Sequence, residues 1–325
     1  MNFIGSKKSL MPWITECMWK SGIIGKFKTV RDPMCGMGGF EVGLSNYLAS
    51  NGLNSVHFFV NDMLECCELM TLANVNGVSL DIEGFMFSVM HTHMDDRVRC
   101  FVEEYAVKRA YFTPGNAMAI AQWRVAADKN GYAIPIILDV ADQLANTAST
   151  YGAYLKEYKK SSMRSFTDLV YSVAARYKDI YKSSSSKAYC TGGDCDLIYL
   201  DPPYNQRQYG ANYHLLDTIA KNDILDFEPK GKSGLRDYDR SMWCYRDTAL
   251  GELHKELDKF NGRYVVMSYW NCGLISESDI ITALGKWSGS DVDMYTMDRN
   301  NYKSDADRYN KNERVTEYLF IARRY

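Results

Sequence analysis

Residues 197–205 read LIYLDPPYN and place an acid, two prolines and an aromatic ring directly after four strand-forming residues. The exocyclic amine of a nucleobase is a poor nucleophile because its lone pair is delocalised into the ring. The Asp201 carboxylate and the Pro202 carbonyl can accept the two N–H groups of such an amine and favour a pyramidal nitrogen. Proline fixes φ and lacks a backbone donor, so Pro202 and Pro203 stiffen the loop, and Tyr204 can stack on an extruded base. The tetrapeptide predicts a base-amine site.

A glycine-rich turn, DPMCGMGG, lies where a first strand would end and a helix begin. Glycines there let the backbone approach a ligand closely, and the helix start offers N–H groups. Asp62 ends the next strand, VHFFVND, where an acid can accept hydrogen bonds from ribose hydroxyls. The candidate cofactor residues at these two strand ends are Asp32, Pro33, Cys35, Gly36, Gly38 and Asp62.

The glycine turn does not fit a phosphate-bearing nucleotide. DPMCGMGG is not GxGxxG, and no P-loop Lys-Ser/Thr pair follows it, so NAD and ATP both fit badly. A nucleoside cofactor without phosphates fits better, and S-adenosylmethionine is the obvious one. A base amine held by the DPPY loop would then face a methyl sulfonium, which predicts methyl transfer.

The first 85 residues alternate between strand and helix around these turns. Residues 10–20 have amphipathic helical spacing, and TVRD and VHFFVND are typical of short strands that each precede a helix. This β-turn-α-β-acid order is that of a nucleotide-binding half-fold. The sequence therefore predicts an α/β fold with a Rossmann-like sheet of the kind that binds S-adenosylmethionine in methyltransferases.

The strand pattern fades between residues 86 and 187, which we predict to form a helical insertion for target recognition. Five of its segments have helical spacing, with Gly or Pro breaks between them. They are DRVRCFVEEYAVKRAYF, NAMAIAQWRVAADKN, AIPIILDVADQLANT, YGAYLKEYKK and SFTDLVYSVAARYKDIY. KSSSSK, at 182–187, is predicted to be a flexible joint before the sheet resumes at LIYL.

The catalytic domain is predicted to comprise residues 1–85 and 188–325. After DPPY we expect a helix around HLLDTIAKND, an irregular stretch at 228–247 and a helix near 248–260. The strand YVVMSYW, a helix near 277–286 and two terminal strands, DVDMYTM and TEYLFIARR, would complete the sheet.

Composition limits the possible classes of protein. The 325 residues are 46% hydrophobic, which allows a sizeable core, and their formal net charge of −2 gives no global attraction to polyanions. Nucleic-acid binding would need a local basic face, which residues 151–187 offer through Lys156, Lys159 and Lys160. A solvated helix face explains the same charge excess about equally well.

Membrane and metal sites are not predicted. No apolar run approaches the roughly 20 residues that span a bilayer, and MNFIGSKKSL is no signal peptide, so we expect a cytoplasmic protein. The nine cysteines lack paired CxxC spacing, which favours reduced thiols. CTGGDC and HTH have no second ligand pair at a plausible distance.

The order of these motifs resembles the Dam-like, alpha-group N6-adenine DNA methyltransferases. In that family an N-terminal lysine motif, the glycine turn, a target-recognition insertion and DPPY follow one another. The segments that resemble a bacterial and phage branch of the family cover most of the chain. They are FIGSKKSL, YGAYLK, DPPYNQRQYGANYHLLDTIA, GKSGLR, VMSYWNCGLIS, and YKSD followed by VTEYLFI.

The resemblance implies a role for each matching residue. Phe3 and Lys7 would lie against the cofactor, with Lys7 near its carboxylate or the DNA backbone. Gly36 and Gly38 would form the turn on the methionine side, while Asp62 would hold the ribose. Asp201, Pro202, Pro203 and Tyr204 would hold the target adenine. The loop after them would contact DNA or fill the gap left by the flipped base through Asn205, Arg207, Gln208 and Tyr209.

The chain departs from the family pattern ahead of DPPY. Related chains commonly carry an acid there that binds the adenine amine of the cofactor, whereas this chain has IYKSSSSK. A serine hydroxyl, a backbone carbonyl or Asp179 would have to substitute for that acid.

The predicted function is S-adenosylmethionine-dependent methylation of adenine N6 in double-stranded DNA, by direct in-line transfer without a metal. The same chemistry on RNA or on cytosine N4 is an alternative, although cytosine enzymes more often carry Ser in place of Asp201. A catalytically silent DNA-binding protein of the same fold is a second alternative. The recognition sequence, a companion restriction nuclease and the oligomeric state stay open.

Overall fold

The computed structural model describes residues 5–92, 95–178, 180, 183–187, 195–300 and 314–325. Its strands are β1 (Thr29–Asp32), β2 (His57–Val60), β3 (Ser184–Lys187), β4 (Leu197–Leu200), β5 (Tyr264–Trp270), β6 (Asp293–Asn300) and β7 (Arg314–Arg323). The helices before β4 are α1 (Met11–Lys20), α2 (Gly39–Ser50), α3 (Glu65–Asn76), α4 (Ile82–Met90), α5 (Asp96–Val102), α6 (Pro114–Ala126), α7 (Ile134–Leu144) and α8 (Phe166–Tyr177). Those after β4 are α9 (Tyr209–Lys221), α10 (Arg246–Lys259) and α11 (Glu277–Ser288).

The strands form one sheet in the order β3-β2-β1-β4-β5-β7-β6. The first five strands along this order are parallel, and β7 runs antiparallel to both β5 and β6. The central strands β4 and β5 are buried on both faces, which explains why LIYL and YVVMSY are apolar runs rather than alternating patterns. The chain leaves β1 toward β2 and returns to β4 on the other side. The carboxyl ends of β1 and β4 therefore flank a topological switch point, where open α/β sheets bind ligands.

Three groups of buried side chains hold the layers together. One group joins α1 and α2 to the sheet through residues such as Ile14, Leu44 and Val30. A second joins α10 and α11 to β4 and β5, for example through Leu253 and Ile280. The third joins α3 and α9 to α4 through α8. The helical region therefore has no separate core, because it shares one with two helices that flank the sheet.

The predicted elements at the two turns are confirmed. The strands TVRD and VHFFV and the helices that follow them form β1, α2, β2 and α3. The helix at 10–20, the DPPY-linked helix and the terminal strands also form, as α1, α9, β6 and β7. The helical region begins before residue 86, because α4 spans Ile82–Met90 and packs against α6.

Two local predictions are wrong. YGAYLKEYKK has no α-helix, because the buried Asn146 holds the segment in another conformation. Asn146 donates through its side chain to the Leu155 carbonyl at 3.0 Å and accepts the Lys159 N–H at 3.0 Å. The predicted flexible joint contains β3, whose four residues pair in parallel with β2. His57 fixes this pairing, since its ring nitrogens lie 2.6 and 2.9 Å from the hydroxyls of Ser184 and Ser186.

No helix within the described ranges is long and apolar enough to cross a membrane.

Candidate active site

A cavity of about 570 Å³ opens at the carboxyl ends of β1, β2 and β4. It lies within the range of volumes that hold small-molecule ligands in proteins. Most of the predicted site residues line it, so the sequence motifs meet in one place. They are Lys7, Asp32, Pro33, Cys35, Gly36, Asp62, Asp201, Pro202, Pro203, Tyr204, Gln208 and Tyr209.

Asp201 follows β4 and is bound by Lys7. The Lys7 Nζ lies 2.6 Å from Oδ1 and 2.8 Å from Oδ2 of Asp201, and it also donates to the Gly5 carbonyl at 3.2 Å. Burial raises the pKa of Asp201, and the Lys7 ammonium partly offsets this rise. Burial would lower the pKa of Lys7, but Asp201 overrides it and the net pKa is raised. The two short contacts therefore describe a buried ion pair.

A glycine allows Lys7 to reach Asp201. Residues 7–9 form one 3-10 turn, which Ser6 begins by accepting a hydrogen bond from the Lys8 N–H. This turn packs on the first residue of α2, where a Cβ on Gly39 would lie 3.2 Å from the Ser6 Oγ. A side chain at residue 39 would push the turn away and move Lys7 from the carboxylate.

The Tyr204 ring is held by aromatic neighbours at the end of β5. Its centroid lies 4.8 Å from Trp270 and 6.5 Å from Tyr269, the latter in an edge-on arrangement. Lys7 lies 5.6 Å from the same centroid. Burial raises the pKa of Tyr204, so the ring remains a neutral phenol at physiological pH. Tyr204 is thus a positioned, uncharged stacking surface.

The glycine turn between β1 and α2 depends on two left-handed residues. Gly36 and Gly38 have φ of 53° and 74°, and a Cβ on Gly38 would lie 3.2 Å from the backbone of Thr71. Gly38 is not among the cavity-lining residues, so its part is to shape the turn. The Thr71 hydroxyl donates to the Gly36 carbonyl at 3.0 Å and fixes the turn against α3.

Asp62 bridges the ends of β1 and β2. Its Oδ2 accepts the Gly36 N–H at 2.9 Å, and its Oδ1 accepts the Leu64 N–H at 3.0 Å. Each oxygen keeps a second acceptor position, because a carboxylate has about four. Burial raises the pKa of Asp62 to about 6, against the opposing effect of the two backbone donors. Asp62 therefore has a structural task in the turn besides any contact with a ligand.

A pair of buried acids lies under the same turn. Asp32 ends β1 and accepts the Met34 N–H at 2.9 Å, and Glu41 lies in the first turn of α2 with no exposed surface. Burial raises the pKa of Glu41 to about 7, and burial together with Glu41 raises that of Asp32 well above its usual range. Two such carboxyl groups side by side favour retention of a proton near neutral pH.

The loop after DPPY is fixed by a second segment of the chain. The Gln208 side chain donates to the Ser241 carbonyl at 3.2 Å and accepts the Ser241 N–H at 2.8 Å. Tyr209 begins α9 and its ring stacks near Tyr213. Asn205 accepts the Arg207 N–H at 2.9 Å, which closes the loop. Asn205 and Arg207 do not line the cavity, and Arg207 points to solvent.

The predicted basic residues of the helical region lie outside the cavity. Lys156 and Lys160 are exposed, but the Lys159 Nζ donates to the Thr147 carbonyl at 2.9 Å. Lys159 therefore stabilises its own loop. Phe3 and Asp179, which the sequence analysis assigned to the cofactor, lie outside the described residues.

Three of the four serines ahead of DPPY form hydrogen bonds to neighbouring elements. Ser184 and Ser186 contact His57, and Ser185 bonds to Asn76 through both its backbone and its hydroxyl. These three serines do not line the cavity. They hold β3 in the sheet, and the replacement of the missing acid by a serine hydroxyl, a backbone carbonyl or Asp179 stays a prediction.

Several cavity residues were not found by sequence reasoning. Asp217 and Lys221, an ion pair of 2.8 Å on α9, and Arg236, which pairs with Asp223, also line the cavity. Trp270, which supports Tyr204, was also missed, although it ends a predicted strand. These residues are charged or aromatic, which is the only sign of them in the sequence. They were missed because their contacts join residues that are far apart in the chain.

The sheet and the site together define a class of protein. The strand order, with β7 inserted antiparallel beside β5, the glycine turn after β1 and DPPY after β4 are those of an S-adenosylmethionine-dependent methyltransferase. The family model of the D12 class N6 adenine-specific DNA methyltransferases matches residues 3–263, and the chain belongs to this family of enzymes.

Three characterised relatives illustrate the similarity. The chain is 29% identical to the type II methyltransferase M.NlaIII of Neisseria lactamica, over 99% of this chain and 98% of that protein. It is 27% identical to M.CviAII of Paramecium bursaria Chlorella virus 1 over the same shares. M.FokI of Planomicrobium okeanokoites is 30% identical over 61% of this chain and 32% of its own. The comparison with solved structures gave no significant match.

Proposed function

We propose that the chain binds S-adenosylmethionine and methylates the N6 amine of an adenine that is flipped out of double-stranded DNA. The observation that carries this proposal is the placement of Asp201. Its carboxylate, largely shielded from solvent and paired with Lys7, lines the same cavity as the glycine turn and Asp62. A base amine and a nucleoside cofactor can thus meet in one enclosed space.

The residues of the cavity fit the cofactor. The left-handed Gly36 leaves its turn without a side chain, and Asp62 keeps free acceptor positions for ribose hydroxyls. The cavity volume suits a nucleoside together with a single base. When bound, S-adenosylmethionine supplies an activated methyl group. Gly36 and Asp62 would hold it, with Asp32 and Cys35 beside them.

Asp201 and Pro202 would bind the target amine. Asp201 is largely shielded from water beside the Lys7 ammonium, so a hydrogen bond to it is stronger than one in water. Lys7 contacts both carboxylate oxygens, and each oxygen keeps a second acceptor position for an incoming amine. The Pro202 carbonyl would accept the second N–H, while Tyr204, braced by Trp270, would stack on the base.

The helical region would recognise the DNA target. Its loop at 151–160 meets the start of α9, since the Tyr151 N–H donates to the Asn212 carbonyl at 2.8 Å. This contact brings the loop near the segment that follows DPPY. Lys156, Lys160 and Arg207 are exposed there and suit contacts with DNA phosphates. The relatives are named as type II methyltransferases, and we propose a modification role for this chain in a bacterial or phage-infected cytoplasm.

Transfer of a labelled methyl group tests this function. The protein is incubated with methyl-labelled S-adenosylmethionine and genomic DNA that lacks adenine methylation, and the digested nucleosides are separated. Label in N6-methyldeoxyadenosine is the expected result. Label in N4-methyldeoxycytidine, or in RNA alone, would overturn the assigned substrate. Absence of label from every DNA tested would favour a silent DNA-binding protein.

A further inference from the structure

The four-residue turn Gly231–Gly234 has no part in the site described above. Leu235 separates it from residues 236–239, which line the cavity. Gly231 and Gly234 have φ of 64° and 67°, and Lys230 and Leu235 exchange two backbone hydrogen bonds of 2.8 and 2.9 Å across the turn. The turn is therefore a tight hairpin that only glycine adopts readily at its two ends.

Side chains from the helical region hold this turn by its carbonyl groups. One of them, Tyr105, lies in a π-helical turn at Glu103–Val107 that shifts the register after α5, and the other two follow this turn. The contacts are from Tyr105 Oη to the Gly234 carbonyl at 3.1 Å, from Arg109 Nη2 to the Gly231 carbonyl at 3.0 Å and from Tyr111 Oη to the Ser233 carbonyl at 3.0 Å. Tyr105 and Tyr111 are fully buried, so the turn is rigidly anchored.

The side of the turn that faces away from these anchoring contacts is exposed, and it carries a positive charge and a backbone N–H donor. In a planar trans peptide the N–H points opposite to the C=O, so the Lys232 N–H faces away from Arg109. Lys232 is exposed and forms no ion pair with any described residue. Its neighbour Lys230 is balanced by Asp237 at 2.6 Å, which makes Lys232 the uncompensated charge of the turn.

We propose that the turn Gly231–Gly234 binds a phosphate of the DNA backbone beside the target base. The Lys232 ammonium, its N–H and the partly exposed Ser233 hydroxyl are the groups that contact phosphates in DNA complexes. The proposal rests on the proposed function, because it assumes that DNA is the substrate.

Packing contacts and hydrogen bonds join the segment that follows the proposed phosphate site to the loop after DPPY. Tyr238 lies against Gly210, where a Cβ would come within 2.5 Å of its ring, and Ser241 is bound to Gln208 in the loop after DPPY. The Tyr111 hydroxyl also lies 2.6 Å from the Tyr151 carbonyl, next to the basic loop, so this carbonyl and that of Ser233 share its one hydrogen. A phosphate held by the turn is thus placed at a fixed position relative to the cavity.

The salt dependence of DNA binding tests the proposal. Lys232→Gln is compared with wild type and with Lys286→Gln, a matched exposed lysine on α11. We expect the slope of log K against log salt to become smaller in magnitude by about 0.9 in Lys232→Gln alone. The loss should be equal for all duplexes, and cofactor affinity should not change. An unchanged slope in Lys232→Gln would overturn the proposal.

A backbone variant tests the anchored geometry separately. In Gly234→Ala the positive φ is strained and the new Cβ would lie 2.8 Å from the Arg109 Nε, whereas Gly251→Ala on α10 meets no atom within 4 Å. We expect only the former to lose DNA affinity and to show the reduced slope. Wild-type DNA affinity in Gly234→Ala would contradict the proposal. Failure of the wild type to methylate adenine would instead overturn the function, and the two failures are distinguishable.

Discussion

The Lys7 ammonium holds the carboxylate of Asp201, to which the target amine donates in the proposed function. It contacts both oxygens of Asp201, at 2.6 and 2.8 Å. If a base amine displaced Lys7 from one oxygen of Asp201, Lys7 would still donate to the Gly5 carbonyl. The negative charge of the nearby Glu317 would also stabilise its ammonium. The ion pair can therefore keep Asp201 charged and desolvated while the base enters, since an unpaired buried carboxylate would be costly.

Asp62 should make cofactor binding depend on pH. Its pKa of about 6 means that the carboxylate gains a proton as the pH falls below that value, and a neutral acid accepts hydrogen bonds from ribose less strongly. We expect affinity for S-adenosylmethionine to be higher at pH 7.5 than at pH 5.5. Calorimetric titration at the two pH values measures the difference.

Asp62→Asn is the matched variant for this prediction, because it keeps the shape and one acceptor oxygen. Loss of the charge should cost roughly 1.5 to 3 kcal/mol of cofactor binding and remove the pH dependence. Asp62→Ala should cost more, since the Gly36 and Leu64 N–H groups also lose their acceptor. Equal cofactor affinity in wild type and Asp62→Asn would exclude Asp62 from the site.

At the scale of elements, the loop at 151–160 shows what local pattern cannot predict. YGAYLKEYKK has the spacing of a helix, yet it folds around Asn146 and against Asn212 of α9. Those contacts reach across the chain, and tertiary contacts override a local propensity. The same holds for β3, whose serines were interpreted as a joint but are fixed by His57 and Asn76.

The loop should nevertheless contribute to DNA affinity. Lys156 and Lys160 are exposed, whereas Lys159 is bound to the Thr147 carbonyl, so the informative change is Lys156→Gln with Lys160→Gln. Each lost phosphate contact should reduce the salt slope by about 0.9, and binding to all duplexes should weaken equally. Fluorescence anisotropy at several salt concentrations measures both quantities.

Lys159→Gln serves as the contrasting variant, since it should lower thermal stability more than it changes the salt slope. A double variant with the wild-type slope would show that Lys156 and Lys160 are only a solvated surface. DNA affinity would then depend on the loop at 205–209 and on the turn at 231–234.

At the scale of the whole molecule, the sequence indicated where the site lies better than it indicated the contacts between distant parts of the chain. Asp32, Asp62 and Asp201 line one cavity, and the sequence pointed to them because turn residues after apolar runs are local signals. The pairing of Lys7 with Asp201 spans 194 positions and depends on the order of strands in the sheet. The shared core of α3, α9 and the helical region is equally non-local, so it could not be predicted from periodicity.

Single-turnover kinetics of Asp201→Ala, measured together with cofactor affinity, test the assigned role of the DPPY acid most directly. The carboxylate is placed to contact the target amine rather than the cofactor, so methyl transfer should fall by far more than tenfold while the Kd for S-adenosylmethionine stays close to that of wild type. Asp226→Ala, which removes an exposed acid after α9, is the matched control and should keep full activity. Retention by Asp201→Ala of more than about a tenth of the wild-type rate, a loss below about 1.4 kcal/mol, would contradict the role of Asp201 as acceptor of the adenine amine.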